Sequence, residues 1–207
     1  MCTVYSFSGF SRVLIKNGIK FSIRDFLDPE KVDKLIEQLI EKTCDEYSYT
    51  GAGISRACFL PDLGDCAIKV NKEFYTDYSD ENAREEYSSL FWDKKEYIYG
   101  GWQINRLNEV VSSREPCCDQ NADEIRNYLR FLENKDNRLN YVPKLYAVSS
   151  NWQVEIFEYC DYYTGDDELD TEQEKRFEEI NNCFYDAHDD NLGYNRQGNL
   201  VILDFGI

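Results

Sequence analysis

Three side chains near the C-terminus have the types and the spacing of a site that handles phosphate. The run Asp186-Ala-His-Asp-Asp-Asn191 places an aspartate five residues before an asparagine, and Asp204 follows thirteen residues after Asn191. Carboxylate and amide oxygens suit a hard cation such as Mg²⁺, which keeps water and phosphate oxygens in its shell. Transferring a γ-phosphoryl group requires neutralisation of the triphosphate and an oriented hydroxyl nucleophile. The pattern therefore favours phosphoryl transfer.

These residues resemble the catalytic loop and the Asp-Phe-Gly motif of the protein-kinase-like superfamily. The resemblance implies that Asp186 orients the substrate hydroxyl or accepts its proton, and that Asn191 and Asp204 hold Mg²⁺. Protein kinases usually have His-Arg before this aspartate, where the chain has Phe184-Tyr185, and a lysine two residues after it, where the chain has His188. The Asp-x-His form looks more like the aminoglycoside-phosphotransferase and compact bacterial or phage kinase-like branches.

A lysine and a glycine-rich segment lie upstream in the order that this family requires. Ala67-Ile-Lys69-Val resembles the kinase strand whose lysine contacts the α- and β-phosphates of ATP. Gly51-Ala-Gly53-Ile-Ser-Arg56 precedes it at the distance of the family's phosphate loop, so the resemblance implies nucleotide contacts from Gly51, Gly53 and Ser55. Arg56 stands where the family's pattern has its third glycine.

In this family a glutamate on a helix holds the lysine in place. Helical spacing over residues 80–97 predicts such a helix. Glu86 is expected to be the partner of Lys69 because it shares a helical face with Ala83 and Leu90, and Glu85 is the alternative.

The strand Val154-Glu-Ile-Phe-Glu-Tyr-Cys160 resembles the segment that links the two lobes of a kinase. The resemblance makes Phe157 the gatekeeper residue. It also implies that the Glu158 carbonyl and the Cys160 amide pair with adenine. Backbone groups recognise the base edge there, so side-chain identity is weakly constrained.

Some of these residues also have simpler interpretations. His188 is more often structural than catalytic, because one imidazole with no fixed partner proves little. The acidic stretch 161–170 is interpreted as a solvated surface loop, with a docking rim for a cationic substrate as the alternative. Lys69 and the two glycines, taken alone, would fit an exposed strand and an ordinary tight turn.

Periodicity and turn residues predict the remaining elements. Residues 12–15 and 19–23 are expected to form a hairpin around Lys16-Asn17-Gly18. Asp28 and Pro29 are expected to begin a helix over about 28–44. Thr171 and Glu174 form a capping-box pattern that predicts another helix. The other predicted elements are a helix over about 122–132 that carries Ile125, Leu129 and Leu132, and strands at 55–60, 66–70, 141–148, 153–159, 192–194 and 200–203.

Together these elements predict an α+β, protein-kinase-like fold with an antiparallel small-lobe sheet and a reduced helical second lobe that ends at Asp-Phe-Gly. Residues 1–45 are expected to be an N-terminal extension made of a hairpin and a helix. Residues 46–160 would be the small lobe, with a helical insert at about 93–135, and residues 161–207 a truncated second lobe. Because Ile207 follows Gly206 directly, the chain is either a minimal kinase-like protein or a fragment of a longer one.

Composition limits the classes of partner. A net charge of −17 repels nucleic acids and anionic membranes, while 42% hydrophobic and 15% aromatic residues favour a folded chain. No apolar run is long enough to span a bilayer and no signal peptide is evident, so a cytoplasmic location is expected. The eight cysteines are then expected to be reduced thiols, and a single histidine with no Cys-x-x-Cys pair disfavours zinc.

The leading functional hypothesis is an ATP- and Mg²⁺-dependent phosphotransferase that acts on a protein hydroxyl, including its own Ser, Thr or Tyr residues. One alternative is a pseudokinase-like module that binds and inhibits a partner protein. A second alternative is a small-molecule kinase of the aminoglycoside type. The oligomeric state stays open.

Overall fold

The computed structural model describes residues 3–44, 49–52, 56–61, 65–71, 120–152, 154–165 and 168–206. Within these ranges the protein is an α+β structure, as predicted. Its helices are α1 (Phe7–Lys16), α2 (Pro29–Thr43), α3 (Gln120–Asn134) and α4 (Thr171–Cys183). Its strands are β1 (Tyr49–Ala52), β2 (Arg56–Phe59), β3 (Cys66–Asn71), β4 (Leu145–Val148), β5 (Val154–Glu158), β6 (Asp161–Tyr162), β7 (Leu192–Tyr194) and β8 (Leu200–Ile202). None of the described helices has the length and apolar composition needed to cross a membrane.

The strands form two antiparallel sheets. The larger has the order β1-β2-β3-β5-β4, and the smaller has the order β6-β7-β8. In the larger sheet Lys69 lies between Cys58 and Glu155, and Ala67 lies opposite Phe157. Because opposed residues share a face and successive residues alternate, Lys69 and Phe157 face one side of this sheet.

The larger sheet separates two hydrophobic cores. One core joins α1, α2 and one sheet face, and it contains Phe10, Leu14, Phe26, Ile36, Leu39, Ile68, Val70 and Ile156. The other joins the opposite face to α3, α4 and the smaller sheet, and it contains Ile125, Tyr128, Phe131, Leu145, Phe157, Ile180, Leu200 and Phe205. Residues on the second face are therefore the ones that can line a cleft between the sheets.

The hairpin predicted over residues 12–23 is wrong, because Phe7–Lys16 is a helix. The Ser6 side chain accepts a hydrogen bond from the Gly9 amide and caps its first turn. Gly18 has a φ of +64°, and the amides of Gly18 and Ile19 donate to the Ile15 and Leu14 carbonyls. This is a Schellman motif, which uses the same Asn-Gly pair that favours a hairpin turn.

Of the other predicted helices, one begins as expected, one has its cap one residue earlier, and one lies outside the described residues. Asp28 caps α2 by accepting from the Glu30 amide, and Pro29 is its first residue, as expected. The capping box of α4 lies one residue earlier than predicted: Asp170 is the N-cap and pairs with Gln173. The helix predicted over residues 80–97 lies outside the described residues.

The N-terminal segment is tied to the larger sheet by hydrogen bonds as well as by its core. The Thr3 carbonyl accepts from the Val148 amide at 2.8 Å, next to a bridge between Val4 and Ala147. The buried Asp33 carboxylate of α2 accepts from the Ser150 amide and hydroxyl at 2.8 and 2.5 Å. Residues 3–44 thus share one body with the sheet.

An ionic cluster links this body to the smaller sheet. The buried Asp65 carboxylate binds Lys16 of α1 and Arg196, which lies between β7 and β8. Burial acts to raise the pKa of Asp65, but the hydrogen bonds from Lys16 and Arg196 outweigh it, so the pKa lies below its usual value. Lys16 and Arg196 therefore tie the start of β3 to α1 and to the turn between β7 and β8.

We predict that Gly9→Ala lowers the free energy of unfolding by about 2 kcal/mol. An added Cβ would overlap the buried Tyr146 ring so closely that the cost lies at the upper end of the usual range, about 3 kcal/mol. Alanine regains roughly 1 kcal/mol over glycine within a helix, which leaves the net loss. Urea denaturation measures the change. Ser8→Ala, at an exposed position of the same helix, is the control and should stay within about 0.5 kcal/mol of the native protein. Unchanged stability of Gly9→Ala would show that α1 does not pack on Tyr146 as described.

Candidate functional site

The centre of the site is a buried ion pair between a strand lysine and a helix glutamate. The Lys69 ammonium donates to both carboxylate oxygens of Glu124, at 3.0 and 2.9 Å. The side chains are 12% and 0% exposed, respectively. Glu86, the predicted partner of Lys69, lies outside the described residues, and in the described part of the chain Glu124 takes that position.

Helix α3 places Glu124 inside the protein because the glutamate belongs to its buried stripe. Glu124, Tyr128 and Phe131 recur at the i, i+4, i+7 spacing of one helical face, and all three are buried. The sequence prediction of this helix used Ile125, Leu129 and Leu132, and Leu132 is in fact 43% exposed. In the sequence, the signal that could have identified Glu124 is its helical spacing with the aromatic residues Tyr128 and Phe131.

The ion pair also contacts the segment that carries the Asp-Phe-Gly sequence. Lys69 Nζ donates to the Leu203 carbonyl at 2.5 Å, and it lies 5.0 Å from the centre of the Phe157 ring and 5.9 Å from that of Phe205. The two rings pack edge to face with centroids 6.0 Å apart. The ammonium is therefore enclosed by one carboxylate, one carbonyl and two aromatic rings, which compensate for its loss of water.

A cavity of about 540 Å³ opens beside Lys69. Its size lies within the usual range for small-molecule sites. The predicted nucleotide-binding residues Lys69, Glu158 and Cys160 line it together with Phe157. The other lining residues are Cys58, Leu60, Ala67, Pro143, Tyr162, Asp190 and Leu203. The lining of the cavity is thus mostly apolar, and its charged residues are Lys69, Glu158 and Asp190.

Glu158 and Cys160 have side chains that are already engaged. The Glu158 carboxylate accepts from the Lys144 amide at 3.0 Å. Burial raises the pKa of the Cys160 thiol to about 12, so the thiol stays protonated at neutral pH, and it donates weakly to the Glu158 carbonyl at 3.9 Å. Backbone atoms are therefore the groups that these two residues can offer to a ligand in the cavity.

The predicted catalytic loop forms a connected set of polar contacts. The Asn191 amide nitrogen donates to the Asp186 carbonyl at 3.1 Å and to its carboxylate at 3.2 Å. The same nitrogen lies 3.1 Å from His188 Nε2, which shares this donor as an acceptor in the tautomer that carries its proton on Nδ1. His188 therefore supports Asn191 rather than acting alone, in keeping with a structural role.

The loop and the Asp204 segment are joined through the main chain. The Leu203 amide donates to the Asn191 carbonyl at 2.6 Å. On the other side of Asp204, the Phe205 amide donates to Glu124 Oε1 at 3.1 Å, and the Phe205 carbonyl accepts from Asn127 Nδ2 at 2.9 Å. Asp186, Asn191 and Asp204 are thereby linked to the Lys69–Glu124 pair. Sequence reasoning did not identify Asn127 or Glu124.

The predicted phosphate loop is described only in part. Gly51 lies in β1 with its Cα paired to that of Cys58, after an irregularity in the register between Tyr49 and Gly51. Gly53 and Ser55 lie outside the described residues. The prediction that these three residues contact a nucleotide therefore stays a prediction.

The acidic stretch is exposed where the structure describes it. Asp161, Glu168 and Asp170 are exposed, and Asp170 serves as the α4 N-cap. Asp166 and Asp167 lie outside the described residues. These positions agree with the interpretation as a solvated surface.

The donor set at Asn191 and Asp204 fits a hard cation. The described residues contain no cluster of three or more His, Cys, Asp or Glu side chains that could hold a metal. Asn191 uses its amide nitrogen within the loop, so its amide oxygen is the group it would offer to a cation, and Asp204 would offer a carboxylate oxygen. Two oxygen ligands suit Mg²⁺, which takes most of its shell from water and phosphate.

Comparison with protein-family models gives no match to this chain. Comparison with curated proteins also gives no sequence match.

We predict that Glu124→Gln lowers the free energy of unfolding by about 3 kcal/mol, because it leaves the Lys69 ammonium buried without its counter-charge. Chemical denaturation followed by circular dichroism measures this. Replacing both partners, as in Lys69→Met with Glu124→Leu, should recover part of the loss.

Two further variants control this experiment. Glu133→Gln, at an exposed position of α3, should change stability by less than about 0.5 kcal/mol. Glu86→Gln separates the two candidate partners of Lys69. A large loss for Glu86→Gln with none for Glu124→Gln would contradict the ion pair described here.

Proposed function

We propose that this chain is an ATP- and Mg²⁺-dependent phosphotransferase with a protein-kinase-like fold, which moves the γ-phosphoryl group of ATP to a hydroxyl of a protein. One observation carries the proposal. Lys69, which is paired with Glu124, lies at the wall of a nucleotide-sized cavity and donates to the carbonyl of the residue directly before Asp204.

The order of elements supports the fold. The lysine lies on the third strand of the larger sheet, and the helix that supplies its glutamate comes next among the described elements. A linking segment, a helix, the Asp186 loop, the β7–β8 hairpin and Asp204-Phe-Gly206 then follow in that order. Protein kinases carry their β3 lysine, helix glutamate, catalytic loop and Asp-Phe-Gly segment in this same order.

The cavity offers groups for both the base and the phosphates of a nucleotide. Ala67, Phe157 and Leu203 supply apolar surface for a base, and the main chain at Glu158 and Cys160 would supply polar groups for its edge. Lys69 lines the same cavity, and its positive charge would neutralise phosphate oxygens. In a chain of net charge −17, a triphosphate needs such a fixed cation.

Asn191 and Asp204 are the residues that would hold Mg²⁺. The ion bound there would supply positive charge to neutralise the triphosphate. The described residues then have complementary tasks: His188 and Asp186 fix the Asn191 amide, and Lys69 with Glu124 holds the main chain next to Asp204.

Asp186 is assigned the role of orienting the acceptor hydroxyl or accepting its proton. Its side chain is 40% exposed, so an external group can reach the carboxylate. Asn191 donates to one of its oxygens, which fixes the orientation of the carboxylate. Proton transfer from a hydroxyl to a positioned carboxylate contributes about 10²–10⁴-fold in rate.

The surroundings of Asp186 favour a large acceptor. Tyr185 is 98% exposed, and the Asp190 side chain is 83% exposed. A site for a small acceptor would enclose most of that molecule's surface. Among the described residues the loop is open, which suits a hydroxyl presented by a protein segment.

We predict that Asp186→Asn reduces transfer of radiolabelled phosphate from ATP, to the chain itself or to an added protein, by at least about 100-fold. The amide keeps the shape of the carboxylate but cannot accept the proton. ATP affinity measured by titration calorimetry should stay within about threefold, because Asp186 is not part of the cavity wall. Asp189→Asn, in the same loop, is the matched control and should retain transfer.

Three other outcomes of these measurements would change the proposed function or the role of Asp186. ATP binding without transfer in the native protein would favour the partner-binding module. Transfer to small cationic hydroxyl compounds but to no protein would favour the small-molecule kinase. Equal transfer by Asp186→Asn and the native protein would contradict the role given to Asp186.

A further inference from the structure

The main chain is held on both sides of Asp204. Lys69 Nζ donates to the Leu203 carbonyl at 2.5 Å, and the Phe205 amide donates to Glu124 Oε1 at 3.1 Å. These groups belong to the two planar peptide units that flank the α-carbon of Asp204. Fixing both units sets φ and ψ of Asp204, and hence the direction in which its side chain leaves the backbone.

The next peptide unit, between Phe205 and Gly206, is held by Asn127. The Asn127 amide nitrogen donates to the Phe205 carbonyl at 2.9 Å. Glycine has no Cβ, so Gly206 places little steric restriction on rotation of this unit. The hydrogen bond from Asn127 supplies the restriction that a side chain at position 206 would otherwise give.

The orientation of the Asn127 amide is itself fixed. Arg130, three residues later in α3, donates to the Asn127 amide oxygen at 2.9 Å. The oxygen therefore faces Arg130 and the nitrogen faces Phe205. Glu124 and Asn127 are three residues apart and share a helical face, so α3 holds two consecutive backbone groups of Phe205.

We propose that Asn127 is a positioning residue for phosphoryl transfer: it fixes the Phe205–Gly206 peptide, which keeps the Phe205 amide on Glu124 and so stabilises the backbone geometry that directs the Asp204 carboxylate at the divalent cation. This inference rests on the proposed function, because it takes Asp204 to be a cation ligand. Asn127 acts through Asp204. Loss of such an outer contact typically weakens metal affinity or activity by 10- to 100-fold.

The test uses Asn127→Asp in the full chain. The carboxylate has the shape of the amide and keeps an oxygen for Arg130, but it places an acceptor against the Phe205 carbonyl. Mn²⁺ affinity in the presence of ATP, measured by electron paramagnetic resonance, should fall at least tenfold, and kcat should fall with it. ATP affinity in EDTA should be unchanged, since Asp204 and the cation contribute nothing there.

Asn134→Asp is the matched control. Asn134 lies in the same helix, and its amide nitrogen donates to the Arg130 carbonyl, away from residue 205. It should leave Mn²⁺ affinity and kcat within about twofold of the native values. Asn127→Ala removes both the donor to Phe205 and the acceptor for Arg130 but favours the helix; it should reproduce the losses of Asn127→Asp and provides the test if the aspartate variant does not fold.

Hydrogen exchange distinguishes positioning from general destabilisation. In both Asn127 variants, amide exchange should accelerate at residues 203–206 while exchange within α3 stays at the native rate. Faster exchange throughout α3, or Mn²⁺ affinity and kcat equal to those of Asn134→Asp, would overturn the proposal for Asn127 alone. A native protein that binds neither ATP nor Mn²⁺ would overturn the proposed function, and this inference with it.

Discussion

The buried ion pair between Lys69 and Glu124 is the contact on which the geometry of the site depends. An ammonium with 12% of its side chain exposed is stable only where other groups replace its water. Here the replacements come from three separate elements: Glu124 of α3, the carbonyl of Leu203 after β8, and the aromatic ring of Phe157 on β5. The need to satisfy one charge therefore brings together elements that are distant in sequence.

The larger sheet makes this arrangement possible because its two faces belong to different environments, a hydrophobic core on one side and the cleft with Lys69 on the other. Ile68 enters the core with α1 and α2, while its neighbour Lys69 enters the cleft on the opposite face. A slip of one residue in the β2–β3–β5 register would exchange the two and bury the lysine against apolar helices. The packing of residues 3–44 on the first face fixes this register, and so contributes to the site without touching it.

Much of the fold follows from local sequence signals, and its exceptions have identifiable causes. The Asp28-Pro29 start of α2 and the strand-like run at 66–70 predict their elements correctly, because caps and strand patterns depend on only a few neighbouring residues. The helix Phe7–Lys16 was mistaken for a hairpin strand because its Asn17-Gly18 ending also suits a turn. The N-cap of α4 is Asp170 and not the predicted Thr171. The sequence does not distinguish the two, because both side chains can accept a hydrogen bond from a helix amide.

The site was predictable where it depends on sequence motifs and not where it depends on distant contacts. Lys69, Asp186, Asn191 and Asp204 were selected by residue type and spacing. Glu124 follows Lys69 by 55 positions and Asn127 precedes Phe205 by 78, so no local pattern pairs them. Both are polar residues on or beside the buried face of α3. Their roles become visible only when the residues that pack against this face are known.

The most direct test of the central claim is a comparison of thermal unfolding with ATP alone, Mg²⁺ alone and both together. A ligand that binds only the folded state raises its stability by about 2.7 kcal/mol at one hundred times its dissociation constant. For a chain of 207 residues this corresponds to a rise of about 5–10 °C in the unfolding midpoint. We expect this rise with ATP and Mg²⁺ together and little change with Mg²⁺ alone. An unchanged midpoint at millimolar ATP and Mg²⁺ would contradict the assignment of the cavity beside Lys69 as a nucleotide site.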